Sequence, residues 1–326
     1  LAALTPLAGA TAASALLRVV AATTLVVAAF SMLNPVLAVR LQAAGHSTSA
    51  IGVFVMLPFL AVAAMVPLMP RIFARLGMAG AYRAGLVLET LATLGYVLSD
   101  DYFVWCTMAA AGGVGAAALW NGTEALLAHN APPALRGRFM GVYQTVLGLA
   151  VTAGPFVPGV LRLPPDALTI LAAAVLGAAL LLTLSAGVGA LQAARPGAAA
   201  MGIVAALRRA PGLAWVALAG GVFEAGLGSI TTVYGSQTGL SLAAATSIAG
   251  VLGLGSAVLQ YPCGWLADHL SPRRVFAAAG VTLCLASMLF AAAPAWPPAL
   301  WVCAFCWGAV GGALYTLSMI RVAHEF

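Results

Sequence analysis

The chain of 326 residues is 63% hydrophobic and only 7% charged, with a mean hydropathy of +1.05. Soluble domains carry about 25% charged residues, so this composition cannot cover a water-facing surface. It excludes a soluble globular enzyme, a disordered chain, a collagen-like chain and a disulfide scaffold. The formal charge of +6 comes from arginine alone, which in a membrane chain marks the cytoplasmic side and argues for a lipid bilayer, not nucleic acid, as the partner.

A spanning helix needs about 20 mostly apolar residues. Taken in chain order, the apolar runs predict spans at 16–42, 50–70, 82–99, 103–127, 138–161, 167–190, 212–234, 242–263, 275–293 and 299–320. The class is therefore all-α and polytopic, with about ten transmembrane helices. The runs lack the alternation of a β-barrel. The N-terminal stretch leads into a full span and is expected to stay on the chain. The five cysteines lie in or beside apolar runs and read as small packing side chains.

With the N-terminus inside, Arg18, Arg71, Arg75, Arg83, Arg136, Arg138, Arg195, Arg208, Arg209, Arg273, Arg274 and Arg321 are cytoplasmic, and only Arg40 and Arg162 fall outside. That asymmetry sets the orientation and places both ends of the chain in the cytoplasm. The longest connection, 192–211, divides an N-terminal half (1–191) from a C-terminal one (212–326) and ends near Arg208-Arg209. The halves repeat one plan. Arg75-Leu76-Gly77 corresponds to His269-Leu270-Ser271, Trp105 to Trp301, and Gly112 and Gly115 to Gly308 and Gly311. Two like halves about a cytoplasmic connection is a common build of secondary transporters.

After the eighth span the chain reads Gly264-Trp-Leu-Ala-Asp268-His-Leu-Ser-Pro-Arg273-Arg274. This resembles the GxLaDrxGrrr loop of the major facilitator superfamily. The first-half counterpart, Pro70 to Gly77, is degenerate, with Ala74 at the aspartate position. Between spans four and five, Arg136-Gly137-Arg138 is similar to the turn entering a glycine-rich fifth helix in that family. Gly154-Pro155 weakly resembles an antiporter signature. The arginine often found early in span four is absent, with Met108 or Ala109 in its place. The resemblance implies two six-helix halves, so this chain is expected to lack the last two helices, a genuine ten-span protein being the alternative.

Ionisable groups inside a membrane are functional candidates, because each charge costs at least about 2.5–3.5 kcal/mol there. Three glutamates qualify: Glu89, Glu124 and Glu224. Glu224 lies roughly 18 Å into span seven, near the midplane, on a helix that the resemblance puts at a central cavity, where it could load and release a proton. Its alternative is a protonated acid bonded across helices. Glu89, mid-span three, reads as either a buried hydrogen-bonding group or a coupling group. Glu124, near the inner end of span four, reads as an interfacial salt bridge to Arg75 or Arg136, with a substrate role as the alternative. Asn34 precedes a kink-forming Pro35. Trp120, Asn121, Gln144, Gln260 and Tyr315 are packing residues or a polar-aromatic substrate site. Gly264, Asp268, Arg273, Arg274, Arg75, Gly77, Glu124, Arg136, Gly137, Arg138 and Arg321 form the expected inner gate, with Asp268 pairing to Arg138 or Arg321 when that side is shut. No cofactor, metal or catalytic residue is expected. The reading is a secondary active transporter of a small molecule, coupled to protons; the alternative is a non-transporting receptor or assembly partner on the same fold.

Overall fold

The computed structural model describes residues 5–130, 136–189, 191, 211–212, 215, 218, 222, 227–269 and 272–325. Side chains are described for 13–127, 143, 145–185, 187–188, 191, 211–212, 215, 218, 222, 227–259, 262, 274–312 and 314. Among these residues all regular structure is helical. The helices are α1 (Thr5–Ala43), α2 (Thr48–Met65), α3 (Met69–Leu98), α4 (Tyr102–Asn130), α5 (Arg136–Ala153), α6 (Val157–Leu161), α7 (Pro165–Thr183), α8 (Ala186–Gly189), α9 (Leu227–Gln237), α10 (Leu242–His269), α11 (Pro272–Phe290) and α12 (Ala299–Glu325). Short 3₁₀ turns, Val66–Leu68 and Gly154–Phe156, join α2 to α3 and α5 to α6.

Large apolar side chains stand exposed along these helices, among them Leu98 at 84%, Val160 at 76% and Phe103 at 75%. A water-soluble surface does not carry such a belt, whereas lipid accommodates it. Several helices are long and apolar enough to cross a membrane, including Ala13–Ala43, Tyr102–Leu127 and Pro165–Thr183.

The element boundaries correct the expected turns in two places. The turn awaited between 70 and 82 falls at Gly77, at φ 70° and ψ 165°, where two helical arms meet; what changes is its length, since the residues on either side of Gly77 are helical, back to Thr48 and on to Leu98. Pro67 and Pro70 do not break the run because each sits in the first turn of a helical segment, where a missing N–H costs nothing. After span eight, α10 continues to His269, so Gly264 and Asp268 belong to its last turns and not to a loop. In the fifth span Gly154-Pro155 tightens the helix into a 3₁₀ turn, since proline cannot donate to the ladder. Pro35 lies inside α1, which continues through it.

The chain divides into two compact units, one of Leu1–Leu33, Gly45–Ala150 and Leu163–Ala198, the other of Asn34–Ala44, Val151–Arg162 and Ala199–Phe326. Along α1 the change of unit, after Leu33, falls two residues before Pro35; in the fifth span it follows Ala150, about one turn before the 3₁₀ turn at Gly154–Phe156.

In the first unit α4 packs against both α2 and α3. Glycines let the backbones approach: an added Cβ at Gly115 would lie 2.7 Å from the Gly85 carbonyl oxygen, and one at Gly85 would lie 2.8 Å from that of Gly115. Gly113 meets the Pro58 backbone in the same way. Tyr102 Oη donates to Ala50 O at 2.9 Å and stacks near His46, which brings the starts of α2 and α4 to one end. Arg83, about 22 Å from the end of α3, donates from Nε to Thr183 O at 3.0 Å and caps the end of α7.

In the second unit α10 and α12 form the main seam, with Gly255 against the Phe305 backbone, Gly308 against that of Leu252 and Gly312 against Ser256. Ile248, Leu252, Leu300 and Ala304 make its apolar core. Trp301 Nε1 donates to Ser247 Oγ at 2.9 Å, and Ser236 Oγ donates to Gln42 Oε1 at 3.1 Å. Gly250 faces the Phe156 ring and Gly253 the Thr152 backbone.

These environments refine the internal repeat. Gly113 on Pro58 and Gly308 on Leu252 are the same contact made twice, 195 residues apart on one helix and 194 on the other. Gly308 therefore corresponds to Gly113, one residue along from the expected Gly112.

Candidate functional site

Glu89 lies on α3 where that helix meets α4. An added Cβ at Gly112 would lie 3.1 Å from Glu89 Oε2, and one at Gly115 would lie 3.1 Å from its Cγ. The two glycines thus make the slot that holds the carboxyl, with Ala92 closing it one turn further along. Among the described residues Glu89 has no hydrogen-bond or ion-pair partner. Of its two expected readings, the hydrogen-bonded one has no partner here.

A polar knot that sequence reasoning missed ties three helices of this unit. Thr23 Oγ1 lies 2.6 Å from Tyr82 Oη and 2.8 Å from Thr123 Oγ1. Thr23 also lies 2.9 Å from Val19 O, and Thr123 lies 2.8 Å from Leu119 O. All three side chains are buried. The three hydroxyls own three protons, and the two carbonyls can only accept. If Tyr82 donates to Thr23 and each threonine to its own helix, the Thr23–Thr123 contact has no hydrogen left. Four contacts thus share three protons, which leaves more than one way of placing them at the junction of α1, α3 and α4.

An aromatic corner stands on α1, α2 and α4. The Phe30 ring is nearly perpendicular to both Phe59 (6.1 Å, 84°) and Trp120 (6.4 Å, 89°). Trp120 is half-buried and Phe59 39% exposed. Asn121, beside Trp120, donates its amide to Ala117 O at 2.8 Å, so that hydrogen serves its own helix. Glu124 is exposed one turn beyond Trp120 and forms no ion pair with Arg75 or any other described side chain. The partner awaited for it at Arg75 is therefore absent; Arg136 lies outside the described side chains.

Asn34 is half-buried on α1, and Arg75 and Gly77 are exposed at the break before the second arm of α3. Arg274 is exposed in the first turn of α11. Glu224 lies outside the described residues. Gln144, Gln260, Tyr315, Gly264, Asp268, Arg273, Arg136, Gly137, Arg138 and Arg321 lie on described helices, but their side chains are outside the described set. The structure thus brings together Trp120 and Glu124 on one helix face and seats Glu89 separately in the α3–α4 seam. Tyr82 and the two threonines could be found only by knowing which helices touch.

The family model of the Major Facilitator Superfamily matches residues 19–326. The chain is 25% identical over 297 residues to an uncharacterized MFS-type transporter, YfkF, of Bacillus subtilis (strain 168), covering 88% of this chain and 74% of that protein. Among solved structures it is similar in fold to the nucleoside transporter NupG, with a TM-score of 0.77 at 14% identity, covering 96% of this chain and 83% of that one. A D-xylose–proton symporter gives 0.72 at 12% identity, covering 95% and 82%. A bacterial homolog of the human lysosomal transporter Spinster, in an inward-facing and occupied conformation, gives 0.72 at 17% identity, covering 93% and 73%.

Proposed function

Because this chain belongs to the Major Facilitator Superfamily, and is thus a multi-pass membrane transporter and not an enzyme, we propose that it moves a small solute by alternating access, driven by the proton gradient. The observation that carries the coupling is Glu89, an ionisable side chain in the middle of a spanning helix, seated against Gly112 and Gly115 with no hydrogen-bonding or ionic partner among the described residues. A charge in such a place costs about 2.5–3.5 kcal/mol or more. Taking up a proton removes that cost and releasing it restores it. A conformational change that alters water access to the carboxyl therefore couples to proton binding. The D-xylose–proton symporter of like fold lends support from a distant relative. Glu224 is the second coupling candidate, by its depth in span seven.

The inner gate of this reading is the span-eight motif, with Asp268 pairing to Arg138 or Arg321 when the cytoplasmic side is closed. Replacing Asp268 by Asn then slows transport while leaving substrate affinity nearly unchanged. In this reading the protein lies in the bacterial inner membrane, and the arginine distribution supports an orientation with both ends of the chain in the cytoplasm.

The test is transport by the purified protein in liposomes. Glu89→Gln and Glu224→Gln each keep the shape of the neutral acid but cannot release a proton. The coupling residue is the one whose variant still exchanges solute across the membrane but no longer concentrates it under a pH gradient. If both variants concentrate solute as the wild type does, proton coupling through these carboxyls is refuted.

A further inference from the structure

We propose that Phe30, Phe59, Trp120 and Glu124 form a binding site for a lipophilic organic cation; the proposal rests on the transporter reading and names its substrate class. Trp120 and Glu124 are four residues apart on α4, which places them one above the other on the same helix face. They lie about 27 and 33 Å along α4 from Tyr102, both inside the apolar stretch Tyr102–Leu127. At the upper end of that face is the aromatic corner, with Phe30 perpendicular to Phe59 and to Trp120. At the lower end is an exposed carboxylate with no ionic partner among the described residues.

Each part selects the same ligand chemistry. Aromatic rings carry partial negative charge on their faces and attract cations, more strongly where water is scarce. A carboxylate at the edge of an apolar stretch is a second negative centre, within reach of a ligand that lies against the rings. The corner's bare ring surface demands apolar groups around the positive charge. A polyol needs several hydrogen-bonding groups, and the corner of Phe30, Phe59 and Trp120 supplies a single donor, the indole N–H. An anion is repelled by both ring faces and carboxylate. A delocalised cation clothed in apolar groups satisfies the whole surface.

The probe is tetraphenylphosphonium, with tetraphenylborate as its counterpart of equal shape and opposite charge. Binding to the full chain in nanodiscs is followed by calorimetry against empty nanodiscs. The cation is expected to bind saturably and the anion not to. Glu124→Gln is expected to weaken the cation about tenfold, and Glu124→Asp to retain most of the affinity. Trp120→Leu weakens it further, and a melting curve for each variant checks that it is folded. Equal cation affinity in a folded Glu124→Gln variant, or equal binding of the borate, overturns the site. The two readings fail separately. If the cation binds as described but is not carried in liposomes, the site stands and transport of this class does not. If another solute is carried and the cation does not bind, the transporter stands and the site is wrong.

Discussion

Gly115 and Gly280 are both interior helical glycines, and the structure assigns alanine opposite effects at the two. At Gly115 the new methyl would lie 2.7 Å from the Gly85 carbonyl oxygen and 3.1 Å from Glu89 Cγ, whereas nothing lies within 4 Å of a Cβ at Gly280. The carbonyl is fixed by its own helix, so α3 and α4 must part by roughly 0.7–1 Å to restore ordinary contact. A gap of that size forfeits about a quarter to a half of each dispersion contact along the seam. Overpacking of a tight core costs about 1–3 kcal/mol, and the backbone partner puts Gly115→Ala at the upper end, about 2–3 kcal/mol. Gly280→Ala instead gains about 0.5–1 kcal/mol by removing glycine's excess freedom from a helix interior. At about 2–4 °C per kcal/mol, the first variant should melt roughly 4–12 °C below the wild type and the second slightly above it. The measurement is thermal unfolding in nanodiscs by circular dichroism, at one scan rate. Gly85→Ala with Gly115→Ala should cost less than the two singles added, because one separation accommodates both methyls. A Gly115→Ala protein that melts with or above the wild type refutes the close approach of α3 and α4.

Gly77→Ala should destabilise by about 1–3 kcal/mol, although its Cβ would meet nothing, because φ 70° and ψ 165° is a conformation open essentially only to glycine; an unchanged melting temperature would refute the break. Tyr82→Phe should cost about 1 kcal/mol and Thr23→Val about 1–3, since only the second leaves both Tyr82 and Thr123 without their shared partner; equal losses would argue against Thr23 as the centre of the knot. Arg83→Gln should release the end of α7 and speed amide exchange at 180–185 relative to 170–175, and uniform exchange would count against the cap. Single cysteines at 45–49 and 294–298 should label from outside the cell, and those at 129–137 should not; labelling only from inside at 45–49 would invert the arginine-based orientation.

Long apolar runs made the spans legible, because a bilayer imposes one length and one composition on everything that crosses it. Boundaries were less so. Arg71, Arg75 and Pro70 made the whole of 70–82 look like a loop, yet arginine tolerates a helix at the interface and a first-turn proline does not interrupt one. The repeat was visible in the tryptophans and glycines but slipped by one residue, because only backbone contact distinguishes Gly112 from Gly113 as the partner of Gly308. Of the candidate site, Glu89 was found from its charge alone, while the slot made by Gly112 and Gly115 required the packing. Thr23, Tyr82 and Thr123 were invisible for the same reason: they are 59 and 100 residues apart, and single hydroxyls in apolar runs carry no pattern.

The packing of α4 against both α2 and α3 also dictates an order of events during synthesis. Gly77 turns the chain between two arms, but the surface that Glu89 and Pro58 need belongs to α4, which leaves the ribosome later. From Glu89 to Gly112 is 23 residues, or about 1–5 s at roughly 5–20 residues per second. Throughout that interval the carboxyl of α3 faces lipid or the insertion machinery without its glycine slot. Any slowing of elongation between the emergence of Glu89 and that of Gly112 lengthens this exposure in proportion.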